Sequence, residues 1–277
     1  MMCELLSLRD TVEKYELLAK KSLGQNFLLD MNITDKIIRS SLEAQGLTDF
    51  SNQCVYEIGP GPGGLTRAIL KASPELLTVI EMDSRCIQIM NELKAVYGNK
   101  LDIIEGDALQ YPFTKKSIFP KNIVSNLPYN ISVPLLMTWL KNAKQYKSLT
   151  LMFQKEVAQR ITAEPNNKNY GRLSVMAQLT CKIKTLFNLN PNCFVPAPKI
   201  WSTVLLFLPL SDSPDEDILE KVEKVTELAF GQRRKMIRQS LKNIPDLDNI
   251  CRTLNIDMTS RAENLTPEQF LHIAQMM

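Results

Sequence analysis

Cys54-Val55-Tyr56-Glu57-Ile58-Gly59-Pro60-Gly61-Pro62-Gly63-Gly64-Leu65-Thr66-Arg67-Ala68-Ile69-Leu70 carries three signals in succession. Residues 54–59 read as a short buried strand, 60–64 as a glycine-rich turn, and 65–70 as the opening of a helix. Outward from there the alternation repeats. Leu76-Leu77-Thr78-Val79-Ile80-Glu81 is a second apolar strand ending in a carboxylate, and a helical stretch follows from about 85 to 97. A third strand at 101–104 leads into Gly106-Asp107-Ala108, and a fourth at 123–125 leads into Asn126-Leu127-Pro128-Tyr129. A fifth, Leu149-Thr150-Leu151-Met152-Phe153, precedes a helix through Arg160. Strand alternating with helix in this way predicts an α/β domain with a parallel, doubly wound sheet.

Further along the pattern changes. Residues 185–189 and 202–208 read as strands with no long helix between them, an antiparallel addition at a sheet edge. Ser211-Asp212-Ser213-Pro214-Asp215 is a polar break, so the chain divides into an α/β domain at 1–210 and a small helical domain at 211–277. Within the latter, helices are expected near 215–230, 233–243, 246–254 and 267–276.

Composition narrows the chemistry. The 277 residues are 44% hydrophobic and 23% charged, ordinary for a soluble globular protein. No run approaches the roughly 18 apolar residues that span a bilayer, so no membrane partner is expected. Acidic Glu4, Asp10, Glu13 and Glu16 near the start argue against a signal or transit peptide, and the expected location is the cytoplasm. Six scattered cysteines form no C-x-x-C pair, and His272 is the one histidine, so neither a metal centre nor His-based acid–base chemistry is expected. Residues 1–210 hold 24 Lys/Arg against 18 Asp/Glu, whereas 211–277 hold 9 against 12. A modestly basic larger domain is compatible with a nucleic-acid partner.

The glycine-rich turn admits two cofactor classes. Glu81 ends the next strand 18 positions after Gly63, the spacing of a ribose-binding carboxylate. A dehydrogenase places its third glycine three residues after the second, so that pyrophosphate meets a helix N-terminus. Here the spacing is G-x-G-x-G, and Glu57 precedes it. That carboxylate repels pyrophosphate but suits the ammonium and sulfonium charges of S-adenosylmethionine. Asp107 adds an acceptor for an adenine amine.

Asn126-Leu127-Pro128-Tyr129 supplies the reacting half. An exocyclic adenine amine is a poor nucleophile because its lone pair is delocalised into the ring. It needs hydrogen-bond acceptors that favour a pyramidal nitrogen in line with the methyl group. The Asn126 side-chain oxygen and the Leu127 carbonyl can provide them, Pro128 stiffens the turn, and Tyr129 offers a stacking face for an extruded base. Methylation of cytosine carbon requires a cysteine nucleophile, typically following proline, and no cysteine here follows proline.

These segments resemble the ribosomal RNA adenine dimethyltransferases that modify two adjacent adenosines near the 3′ end of small-subunit RNA. The likeness extends over about 20–275. It includes Lys21-Ser22-Leu23-Gly24-Gln25-Asn26-Phe27-Leu28, Glu57 through Gly63, Gly106-Asp107-Ala108, Asn126 through Ser132 and Gln154-Lys155-Glu156-Val157. It continues through Tyr170-Gly171-Arg172-Leu173-Ser174-Val175, Phe194-Val195-Pro196-Ala197-Pro198-Lys199 and Phe230-Gly231-Gln232-Arg233-Arg234-Lys235. The resemblance implies a Rossmann-like methyltransferase domain with a C-terminal helical domain facing RNA, acting as a monomer on the small ribosomal subunit. It implies that Asn26 and Leu28 touch S-adenosylmethionine, that Gly59 lies against its methionine part, and that Glu81 holds the ribose and Asp107 the adenine. Asn126 would line the methyl-transfer site, and Phe194 would face Tyr129 across the target base. Arg233, Arg234, Lys235 and Arg238 would meet RNA. A noncatalytic assembly or transcription factor that keeps the fold is the alternative from another class, disfavoured by the intact Asn126–Tyr129 motif. The erythromycin-resistance type acting on large-subunit RNA is the nearer rival, against which the 170–175 and 230–235 segments weigh.

Overall fold

A computed structural model describes residues 5–17, 26–113 and 117–277, so Lys21 through Gln25 of the first family-like segment lie outside the described residues. The chain begins with α1 (Leu8–Lys14), β1 (Phe27–Leu28), α2 (Met31–Gln45), β2 (Cys54–Ile58), α3 (Gly64–Lys71), β3 (Leu76–Glu81) and α4 (Ser84–Tyr97). It continues through β4 (Leu101–Glu105), β5 (Lys121–Ser125), α5 (Tyr129–Lys141), β6 (Ser148–Gln154), α6 (Lys155–Ile161), α7 (Arg172–Thr180), β7 (Cys181–Leu189), β8 (Phe194–Val195) and β9 (Ser202–Pro209). It ends with α8 (Glu216–Gly231), α9 (Ile237–Ser240), α10 (Leu247–Thr253) and α11 (Pro267–Gln275).

The main sheet runs β4-β3-β2-β5-β6-β9-β7. Its five expected parallel strands pair as parallel neighbours, and β9 joins β6 antiparallel, the predicted edge addition. From β2 the chain winds outward to β3 and β4, then crosses back to β5 and β6 on the other side. Strand order therefore reverses between β2 and β5, and a crevice opens there at the carboxyl ends. β2 and β5 are buried at every position, while β4 at the edge buries only Leu101. Burial on both faces explains the apolar stretches of the central strands, which β2 interrupts with Glu57 and β5 with Lys121, Asn122 and Ser125. Several polar side chains inside the sheet are paired with one another or with backbone, as burial demands. Asn122 donates to Gln53 Oε1 at 3.0 Å, Ser148 to Asn122 Oδ1 at 2.8 Å, and Ser125 Oγ to the Ile58 carbonyl at 2.6 Å. The last bond ties the ends of β2 and β5 together directly below the crevice. Helices α2, α3 and α4 bury Ile37, Leu42, Leu65, Ile69, Met90 and Leu93 in one apolar cluster with Val55, Leu77 and Val79 of the sheet.

The chain forms two compact units that interleave along the sequence. One comprises the described residues up to Leu135 with Gln145–Lys155 and Lys184–Phe207; the other comprises Leu136–Lys144, Glu156–Ile183 and Leu208–Met277. The single division expected at 210/211 thus lies close to the last of several crossings. The second unit gathers its earlier segments by specific contacts. Lys141 Nζ meets Glu223 at 2.6 Å, and Arg172 reaches Glu223 and Glu227 at 3.7 and 3.6 Å. Tyr170, Phe230 and Phe270 stack in series, with ring centroids 5.9 and 5.5 Å apart. The helix expected over 233–243 shrinks to the single turn of α9. Its forerunner is held extended, because Met236 bridges Arg261 and the Ile237 N–H donates to the Ser260 carbonyl at 2.8 Å.

Candidate active site

Where strand order reverses, a cavity of about 270 Å³ opens above the carboxyl ends of β2, β3, β4 and β5. Asn26, Leu28, Gly59, Glu81, Asp107, Asn126, Leu127, Pro128 and Tyr129 all line it, so nearly the whole sequence-derived constellation converges. Two glycines make the fit possible. Gly61 has φ +55°, and a Cβ there would come within 3.0 Å of the Phe27 ring. At Gly64 a Cβ would stand 2.7 Å from the Leu28 carbonyl, so only glycine lets β1 lie across the start of α3. β1 is fixed in turn by antiparallel pairing of Phe27 with Val195 and of Leu28 with Phe194.

The cavity wall carries carboxyl groups. Glu81 Oε1 accepts the N–H groups of Met82 and Asp83 at 2.7 and 2.9 Å, and Oε2 has a long bond from the Gly61 N–H at 3.4 Å. Burial pushes the Glu81 carboxyl above the usual range, and those three N–H groups oppose the rise. The arrangement orients the carboxylate and leaves Oε2 the more available acceptor for a hydroxyl. Glu57 also lines the cavity and is only 2% exposed; burial lifts its carboxyl to about 8, with the charge of Glu81 adding to the rise. Its Oε2 is buried without a hydrogen-bond partner among the described residues. Such an orphaned acceptor calls for a donor or a cation. Asp107 Oδ1 accepts the Leu109 N–H at 2.9 Å, which anchors the loop and directs the second oxygen elsewhere. Two buried carboxylates, a glycine cradle and an Asp beyond β4 fit S-adenosylmethionine, whose ammonium and sulfonium groups are cationic. They disfavour a pyrophosphate.

The Asn126–Tyr129 turn closes the other end. Asn126 Nδ2 donates to the Asn26 carbonyl at 3.1 Å, which fixes the amide so that Oδ1 remains as the acceptor. This bond also ties the segment before β1 to the end of β5. Tyr129 opens α5, and its hydroxyl bonds Ser202 Oγ at 2.8 Å at the start of β9. The tyrosine ring is therefore held from its far end, with burial raising the phenol above its ordinary value.

The family model described as ribosomal RNA adenine dimethylase matches residues 17–277. The chain belongs to the ribosomal RNA adenine dimethylase family. The protein named ribosomal RNA small subunit methyltransferase A in Rhodospirillum rubrum is 44% identical to it over 268 residues, covering 97% of this chain and 91% of that one. Its namesake in Agrobacterium fabrum is 45% identical over 275 residues, covering 98% and 97%. Among solved structures, a dimethyladenosine transferase from Plasmodium falciparum matches with a TM-score of 0.73 at 27% identity, covering 88% of this chain and 94% of that one. The 23S rRNA methyltransferase ErmE matches with a TM-score of 0.67 at 22% identity, covering 90% and 98%, and shares the fold. The protein is accordingly an rRNA adenine dimethyltransferase with S-adenosylmethionine as methyl donor.

In this adenine dimethylase, Phe194 does not line the cavity. It is 2% exposed and packs in the apolar cluster behind Leu28. The basic segment also divides. Arg233 donates to the carbonyls of Lys168 and Tyr170 at 2.8 and 2.9 Å and pairs with Glu263 at 3.4 Å, so its guanidinium braces the second unit. Arg234 and Lys235 lie exposed in the turn after α8, and Arg238 lies exposed on α9, rather than all along one helix. The site reading from sequence omitted Met82 and Leu109, exposed apolar residues that line the cavity beside Glu81 and Asp107. Their signal was position, each following a strand-end carboxylate by one or two residues. Among the described residues no cluster of His, Cys, Asp and Glu suits a metal ion, and no helix is long and apolar enough to cross a membrane.

Proposed function

We propose that this enzyme adds two methyl groups to each of two adjacent adenosines near the 3′ end of small-subunit ribosomal RNA, during ribosome biogenesis in the cytoplasm. The single observation that carries this reading is the meeting of a doubly carboxylate-lined cavity with the Asn126–Tyr129 turn at one end of it. The small-subunit specificity in the names of relatives at 44% and 45% identity supports the choice of RNA. The protein acts as a monomer on the small ribosomal subunit.

When bound, S-adenosylmethionine supplies an electrophilic sulfonium methyl. Glu81 would accept from its ribose hydroxyls and Asp107 from its adenine amine, and Glu57 would face its cationic part, while Gly59, Asn26 and Leu28 line the same cavity. Met82 and Leu109 provide apolar walls for the purine. At the other end Tyr129 supports the target base by stacking. Asn126 Oδ1 and the Leu127 carbonyl accept from the exocyclic amine, favouring the pyramidal nitrogen that attack on the methyl requires. Asn126 and Leu127 would hold the amine as that nitrogen takes the methyl from the bound cofactor, which leaves as the uncharged thioether, and as the amine proton passes to solvent. The second transfer needs room for one methyl already on nitrogen. Pro128 keeps the turn from collapsing into that space.

The test is to incubate the protein with radiolabelled S-adenosylmethionine and either small subunits from an undermethylated source or large subunits. Label confined to two adjacent small-subunit adenosines, as dimethyladenosine, supports the reading. Label in large-subunit RNA refutes it.

A further inference from the structure

We infer that Trp201 is a stacking platform for a nucleotide of single-stranded RNA beside the target adenosine, with Lys155 and Lys199 meeting the adjoining phosphates. The chain has two tryptophans, and they differ completely: Trp139 is 0% exposed, whereas Trp201 is 45% exposed. Leaving an indole in water forgoes the burial that usually fixes tryptophan in a core. Nor does it stand alone. Val195 is 51% exposed and Ile200 lies exposed on the same connection between β8 and β9, where Lys199 is exposed too.

Topology places this surface at the site. β9 runs antiparallel to β6 with Ser202 opposite Gln154, so its first residues lie at the same sheet edge as the carboxyl ends of the parallel strands. The Lys155 N–H donates to the Trp201 carbonyl at 2.8 Å, which holds the backbone of the exposed Lys155 next to that of Trp201. β5, β6 and β9 are successive in the sheet. Two strand spacings separate the end of β5 from the start of β9, about 10 Å. The next residue, Ser202, holds the Tyr129 hydroxyl at 2.8 Å. The cofactor cavity lies over β4, β3, β2 and the end of β5, and Trp201 lies beyond it, past β6, at the start of β9. One aromatic face flanked by lysines matches a base with its phosphates, since stacking accepts any base and the cations follow the backbone. An apolar protein partner has no use for the two ammonium groups.

This inference rests on the proposed RNA substrate, and its test separates the two. Tryptophan emission would be followed while a short single-stranded RNA with two adjacent adenosines is added. Stacking should quench the wild-type protein, whereas Trp201→Phe, whose emission comes from Trp139 alone, should show no change. By anisotropy of labelled RNA, Trp201→Ala should raise Kd about 10-fold, or about 1.4 kcal/mol, and Trp201→Phe should restore most of the affinity. With undermethylated small subunits, Trp201→Ala should raise KM while leaving kcat and cofactor affinity near wild type. Absence of quenching, or an unchanged Kd in Trp201→Ala, overturns the inference. Weakened subunit binding without quenching by RNA assigns the surface to a ribosomal protein and overturns it equally. A wild-type protein that methylates no small subunit refutes the proposed function instead, and the RNA titration then still decides the role of Trp201.

Discussion

Replacing Tyr129 by Phe removes one bond, the 2.8 Å contact with Ser202 Oγ, and keeps the ring. A neutral hydrogen bond contributes about 0.5–1.5 kcal/mol net, so the expected loss in single-turnover rate is about 2- to 12-fold. Ser202→Ala breaks the same bond from the other side. Ser202 is fully buried, so its oxygen is left without this partner in Tyr129→Phe, and that variant should be the more destabilised of the two. Because the two changes remove one interaction, the double variant should be no slower than Tyr129→Phe alone. Tyr129→Ala deletes the stacking face as well, worth roughly a further 1–3 kcal/mol on single-stranded RNA. The assay is rapid-quench methylation of undermethylated small subunits with labelled S-adenosylmethionine, recording monomethyl and dimethyl products separately. A misaligned ring should slow the second transfer more than the first, since the methylated nitrogen fits a narrower range of orientations. Equal damage from Phe and Ala at 129 refutes the stacking role, and additive losses in the double variant refute alignment by Ser202.

Glu81→Ala should weaken cofactor binding about 10- to 100-fold, the range for a charge-assisted hydrogen bond of about 1.5–3 kcal/mol, and unchanged affinity by calorimetry contradicts the ribose assignment. Glu57 binds a proton more tightly folded than unfolded, so between about 4.5 and about 8 its contribution lowers stability as pH rises. Glu57→Gln should flatten that decline in Tm. Binding of cationic S-adenosylmethionine near pH 7 should expel the Glu57 proton, seen as a dependence of calorimetric heat on buffer ionisation enthalpy, and no dependence contradicts it. Neutralising Arg234, Lys235 and Arg238 should weaken subunit binding and flatten its salt dependence without lowering Tm. Arg233→Ala should lower Tm, because it leaves the Lys168 and Tyr170 carbonyls without their donor.

The parallel sheet was legible because β2, β3, β5 and β6 are buried on both faces and carry apolar stretches, with site residues at or just beyond the ends of β2, β3 and β5. Helix α2, with Ile33, Ile37, Ile38 and Leu42 on one face, was not among the elements read from the sequence, and it holds no expected site residue. The pairing of Phe27 and Leu28 with Val195 and Phe194 was not, since two-residue strands have no periodicity and their partners lie far apart in the chain. That pairing is what carries Phe194 into the core. The helical unit drew in earlier segments through ion pairs such as Lys141–Glu223, which depend on tertiary position. Arg233 shows the same limit: charge pattern alone cannot tell a phosphate ligand from a brace across three carbonyl and carboxylate oxygens.

The central claim is that the Asn126 turn performs the transfer, and Asn126→Ala tests it most directly. Single-turnover methylation of undermethylated small subunits by this variant should fall at least about 100-fold, on the scale of losing one transition-state donor or acceptor. Subunit binding should stay near wild type, because the acceptor acts mainly as the amine pyramidalises. Cofactor affinity should drop only modestly, through loss of the 3.1 Å bond to the Asn26 carbonyl. A near-normal single-turnover rate in Asn126→Ala at saturating cofactor would place the chemistry elsewhere and contradict the account.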